Sequence, residues 1–144
     1  MTEIFYRLLS EANGTLYQRE KEERFIFVFE KLIQLISKEK DKKLKEAFIL
    51  AREILEDYQE MNLVHTTLSP SETERRALAK KCLLVRKVIF KSVNNRLKGI
   101  RYDSISNERF SELKQSEITA YLFVALFLLE CRGRLLEFLL QHRI

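Results

Sequence analysis

The chain has 144 residues with 26 basic and 21 acidic side chains, a formal net charge of +5, and 46% apolar residues. That length fits one domain, which should bury roughly 70% of its unfolded surface without disulfides or a metal. Three glycines and one proline exclude a turn-rich all-β sandwich or barrel, and so high an apolar fraction excludes a disordered chain.

Ile4, Phe5, Leu8 and Leu9 recur at helical spacing, so a first helix is expected over about 3–12. Asn13-Gly14 should close it, because glycine accepts the left-handed conformation that ends helices. Thr15-Leu-Tyr-Gln18 has the form of a capping box, in which the Thr hydroxyl and Gln18 satisfy each other's orphan amides. A second helix should therefore run from there to about Lys38. Its expected buried stripe is Phe25, Phe29, Leu32 and Ile36, with Val28 and Leu35 beside it. Phe25-Ile-Phe-Val-Phe29 could stand alone as a strand, but its helical flanks and the lack of a partner strand favour a helix.

The charged run Ser37 to Lys45 reads as a solvated hinge. Asp41 is placed to cap a third helix over about 42–64, with Leu44, Phe48, Ala51, Leu55 and Tyr58 on one face and Ile54 and Met61 widening it. Ser69-Pro70-Ser71-Glu72 then combines an N-cap serine, a proline at the first helical position and a glutamate at the third. A fourth helix is expected from Pro70 to about Lys98, with Gly99 as its stop. After a short connection, Ser106 or Asn107 should cap a final helical region that includes Ile118 to Leu129. Gly133 is expected to kink or end it, leaving the apolar tail Leu135 to Leu140. The fold class is all-α: a single domain over 1–144, a bundle of four or five helices, two of them long.

Charge is divided unevenly. Residues 1–69 hold 11 basic and 13 acidic side chains, whereas residues 70–144 hold 15 and 8. Within the fourth helix Arg76, Lys80, Lys87, Lys91 and Lys98 fall on one stripe, nearly opposite the apolar stripe Leu78, Cys82, Val85, Ile89 and Val93. Lys81, Arg86, Arg96 and Arg101 broaden the positive field. Such a stripe suits a phosphate backbone, since each neutralised phosphate releases condensed counterions. It equally suits an acidic protein, or simply keeps a helix face solvated. An aromatic RNP pair, a zinc finger and a helix-turn-helix with a short glycine turn are all missing from the sequence.

Residues for chemistry are scarce. His65 and His142 are the only histidines, both near segment ends, and neither reads as a general base. No phosphate-binding glycine loop, nucleophile elbow or zinc-binding H-E-x-x-H occurs. Glu53, Glu56, Asp57 and Glu60 are close enough to hold a cation but, with no second cluster, read as an exposed acidic face. No enzyme, metal, cofactor or small-molecule substrate is expected. Cys82 and Cys131 lie in apolar runs and read as buried thiols in a reducing compartment. Neither a secretory signal nor a membrane span of about 20 apolar residues is evident, so a soluble intracellular protein is expected.

Ala120 to Leu129 is apolar around its whole circumference. A helix of that kind is either central in its own bundle or covered by another chain. Counting the tail as well, the apolar surplus favours a protein interface made by Leu122, Phe123, Leu126, Phe127, Leu135, Phe138 and Leu139.

The order of these features resembles the helical domain of GINS subunits, accessory factors of replicative helicases. The resemblance rests on the long basic helix carrying Ala77-Leu-Ala-Lys-Lys-Cys-Leu-Leu-Val-Arg-Lys-Val-Ile-Phe90, followed after a brief connection by the capped start Ser106-Asn-Glu-Arg-Phe110. It spans roughly 15–130. The family's small β-rich second domain has no counterpart pattern here. The resemblance implies a non-enzymatic scaffold subunit in DNA replication, assembling with like or unlike protein subunits through apolar helices. The alternative is a basic helical module that binds DNA or RNA directly, such as a small subunit of an RNA-guided complex.

Overall fold

The computed structural model describes residues 3–63, 72–98 and 117–141; of helical residues 61–63, 72, 117 and 138–141 it describes the backbone alone. Among the described residues there are five helices and no strand: α1 (Glu3–Tyr17), α2 (Lys21–Lys38), α3 (Lys42–Leu63), α4 (Glu72–Leu97) and α5 (Glu117–Gln141). The all-α bundle is as expected, and Phe25 to Phe29 are helical. The capping segment expected at 69–71, the stop at Gly99 and the caps at 106–107 lie outside the described residues.

Two glycines do not act as helix ends. α1 continues through Asn13-Gly14 to Tyr17, and α2 begins at Lys21 rather than at a Thr15 cap. Leu16, one turn beyond Ala12, is fully buried. Burying a leucine is worth about 1.5–3 kcal/mol, which outweighs the roughly 1 kcal/mol cost of a helical glycine. The chain turns at Gln18–Glu20 instead, where the Arg19 guanidinium donates to the Thr15 carbonyl at 2.8 Å and satisfies part of the α1 terminus. Likewise α5 does not end at Gly133: Leu135, just after it, is buried.

The Asp41 cap forms as expected, its Oδ1 accepting from the backbone amides of Lys43 at 3.0 Å and Leu44 at 3.3 Å. Along α3, Leu44, Phe48, Ala51, Ile54, Leu55 and Tyr58 are all buried. The face of α2 is rotated from its expected position. Val28, Leu32 and Leu35 point inward, while Phe25, Phe29 and Ile36 are only partly buried.

The centre of the bundle is α5. α4 packs along it most extensively, α1 and α2 cover other sides, and α3 bridges α2 and α4 while also touching α5. Aromatic pairs mark the contacts. Phe27 meets Phe123 edge-on at 5.1 Å, Phe25 meets Phe127 at 6.1 Å, and Phe48 meets Tyr121 at 5.1 Å. Every residue from Tyr121 to Leu128 is between 0 and 7% exposed.

The cover over most of this helix comes from within the chain, with Leu129 left 38% exposed. Leu122, Phe123, Leu126, Phe127 and Leu135 are buried by the chain's own helices. The side chains of Phe138 and Leu139 lie outside the described residues. An all-round apolar helix needs cover on every side, and several helices packed around a fifth provide it.

Two polar clusters pin the wrapped helix. Arg24 of α2 grips Glu130 of α5 with two hydrogen bonds, at 2.7 and 3.3 Å, and also donates to the Arg19 carbonyl at 2.6 Å. Tyr17 lies under the same guanidinium at 5.0 Å and donates to the Leu126 carbonyl at 3.4 Å. At the other cluster, the Tyr121 hydroxyl donates to Glu39 at 2.6 Å, and Arg96 of α4 pairs with Glu39 at 3.6 Å while lying over the Tyr121 ring.

A Cβ added at Gly14 or Gly133 meets nothing within 4 Å. Gly14→Ala and Gly133→Ala should therefore each stabilise the protein by about 0.5–1 kcal/mol. In thermal melts followed by circular dichroism this appears as a rise of about 2–4 °C per substitution.

Candidate functional site

With Tyr121 to Leu128 of α5 buried, the outer faces of the surrounding helices are the open surfaces considered for a partner. That of α4 is the most distinctive. Leu78, Cys82, Val85, Ile89 and Val93 face the core and are buried, as their spacing predicts. Arg76, Lys80, Lys87, Lys91 and Lys98 are all exposed on the other side. From Arg75 to Lys98, one residue past the helix end, the chain carries nine basic residues and no acidic one. Among the described residues, Lys80, Lys87, Lys91 and Lys98 make no ion pair. Arg96 belongs to this helix but is taken up by Glu39.

The sequence reading missed what fills the gap between Lys80 and Lys87. Leu83 is 44% and Leu84 52% exposed. At 100° per residue they flank the lysine row, so the face is an apolar pair framed by cations. The signal was present in the seven-residue gap of the basic stripe, which leaves one full turn without charge.

The face widens toward α5 at Arg86, whose guanidinium lies over the Phe90 ring at 4.8 Å. Its Nε is buried without a hydrogen-bond partner. Burial and the nearby positive charge of Arg132 both push the Arg86 pKa down.

On its other flank, toward the start of α3, the face borders a cleft of about 350 Å³ lined by Asp41, Lys43, Leu44, Val88, Lys91, Ser92, Asn95 and Arg96. One oxygen of the Asp41 carboxylate, Oδ1, accepts from the α3 amides. The cleft thus presents cations and neutral polar groups beside the apolar Leu44 and Val88.

The remaining candidates for chemistry stand apart from this face. Glu53, Glu56, Asp57 and Glu60 are exposed along α3. Among the described residues no three His, Cys, Asp or Glu side chains are grouped as a metal site, and no helix is long and apolar enough to cross a membrane. His65 and His142 lie outside the described residues.

Cys82 and Cys131 are free and buried. Burial pushes the Cys82 thiol from its usual 9 up to about 12, and Cys131 shifts in the same direction. Both are therefore neutral, unreactive core residues rather than nucleophiles. Tyr17 is also raised, from 10 to about 12, by burial and by Glu130.

These shifts fix the sign of the alkaline pH dependence. Between about pH 9 and 12 the unfolded chain loses protons that the folded chain retains, so stability falls as pH rises through that window. Melting temperatures measured from pH 8 to 11 should drop progressively, and less steeply in Cys82→Ala. Neither thiol should react with a disulfide reagent at pH 8 until denaturant is added.

Comparison with protein-family models, curated proteins and solved structures finds no match to this chain.

Proposed function

We propose that this protein is a non-enzymatic helical interaction subunit that docks an acidic partner on the outer face of α4. The observation that carries this reading is the composition of that face. The exposed cations Arg76, Lys80, Lys87, Lys91 and Lys98, framing exposed Leu83 and Leu84, make a surface with both a charge and an apolar anchor. A solvated helix gains nothing from setting Lys87 and Lys91 four residues apart, because like charges at that spacing repel one another. A partner that brings carboxylates and apolar side chains removes that repulsion and covers the leucines.

A scaffold of the GINS type is the specific form of this reading. It is supported by the sequence order of a long basic helix followed by a capped connection and an apolar helix. In that form the apolar helix serves as the internal pillar, and the basic helix carries the contact to other subunits. A reducing intracellular compartment suits the two free thiols.

Direct binding of DNA or RNA is the second reading, favoured by the unpaired Lys80, Lys87, Lys91 and Lys98. They extend over about 27 Å of helix, enough to follow several phosphates. The two readings divide on the leucines, which a phosphate backbone does not need.

The deciding measurement is fluorescence anisotropy of labelled single- and double-stranded oligonucleotides at about 50 and 200 mM salt. Under the scaffold reading the oligonucleotides bind weakly or not at all. A protein partner co-purified from the native source should be lost on Lys87→Glu with Lys91→Glu, and also on Leu83→Ser with Leu84→Ser. Tight, steeply salt-dependent oligonucleotide binding that the lysine changes abolish and the leucine changes spare would instead establish the nucleic-acid reading. A partner retained by all four substitutions refutes the α4 face.

A further inference from the structure

The face of α2 that points away from the core has the opposite character. Ile26 is 57% and Ile33 47% exposed, among the most open large apolar side chains described. At 100° per residue Glu22, Ile26, Glu30 and Ile33 share an arc of about 80°, with Glu23 at its edge. All five are exposed. The lysines of α2, at 21, 31 and 38, lie more than about 100° from the centre of that arc. Among the described residues none of these three glutamates makes an ion pair.

The two faces match in spacing as well as in sign. On α2, Ile26 stands between Glu22 and Glu30, which are about 12 Å apart along the axis. On α4, Leu83 and Leu84 stand between Lys80 and Lys87, about 10 Å apart. Setting Ile26 against the two leucines brings each glutamate opposite a lysine, whichever way the helices run. Within one chain this cannot happen. α2 and α4 both pack on α5 with their core-facing stripes, and their outer faces look away from each other.

We infer that the acidic partner of the α4 face is the α2 face of a second copy of this protein. This inference rests on the docking role proposed for α4 and gives it an occupant. Ile26 seats between Leu83 and Leu84, with Glu22 and Glu30 answering Lys80 and Lys87. Two different surfaces meet, so the contact is heterologous. Each copy therefore keeps a free α2 or α4 face until the assembly closes.

The test is sedimentation velocity over a concentration series with the full chain and two charge-swapped forms. One carries Glu22→Lys and Glu30→Lys, the other Lys80→Glu and Lys87→Glu. The wild type should self-associate, more weakly at high salt. Each swapped form alone should associate at least tenfold more weakly, since like charges then face each other. An equimolar mixture of the two should recover the association, because the native α4 of one form meets the native α2 of the other, and the reversed α2 meets the reversed α4. All four positions are exposed, and unchanged helicity together with recovery in the mixture shows that both forms are folded.

A wild type that stays monomeric up to about millimolar concentration overturns the inference. So does association that either swap leaves intact, or a mixture that fails to recover it. The α4 docking role is judged separately, because its own test substitutes α4 alone and reads a co-purified partner or an oligonucleotide.

Discussion

Everything in this bundle depends on hiding one helix. The middle of α5 has no polar face to offer water, so every neighbour is placed by the need to cover it. Tyr121 to Leu128 are each nearly or fully buried, and each large side chain among them contributes on the order of 1.5–3 kcal/mol. The aromatic residues of α2 and α3 meet it with edge-on or tilted rings, an arrangement that adds to the area term.

Apolar cover alone would leave the helix free to slide or rotate. The two polar clusters restrict that freedom. Arg24 with Glu130 joins α2 to α5 near one end, and Glu39 with Tyr121 and Arg96 joins the α2–α3 corner to α5 and α4 near the other. Each charge there is met by several partners, which offsets the desolvation that would make an isolated buried ion costly. Register along α5 is thus set by hydrogen bonds, and cohesion by the hydrophobic effect.

A surface consumed by the chain's own core is lost to recognition, so the proposed docking falls on the outer helices. There the composition is polarised: carboxylates frame isoleucines on α2, and lysines frame leucines on α4. Each face alone carries unrelieved repulsion among like charges, and each supplies what the other lacks. Assembly on such surfaces is tuned by salt and charge more than by area.

Periodicity by itself determined much of this protein. The all-α class, the Asp41 cap, the inward stripes of α3 and α4 and the exposure of the α4 lysines follow from local rules that act within one or two turns. Local rules misjudged Gly14 and Gly133, because the burial that carries a helix across a glycine comes from residues distant in sequence. They also misjudged α2, whose two adjacent apolar stripes are equivalent until a neighbour chooses one. Above all, the fate of Leu122, Phe123, Leu126 and Phe127 was open in the sequence, since an all-round apolar helix is the same string whether its cover comes from within or from another chain. Only tertiary packing decides that, because cover is a property of how many helices surround an axis and not of the residues on it.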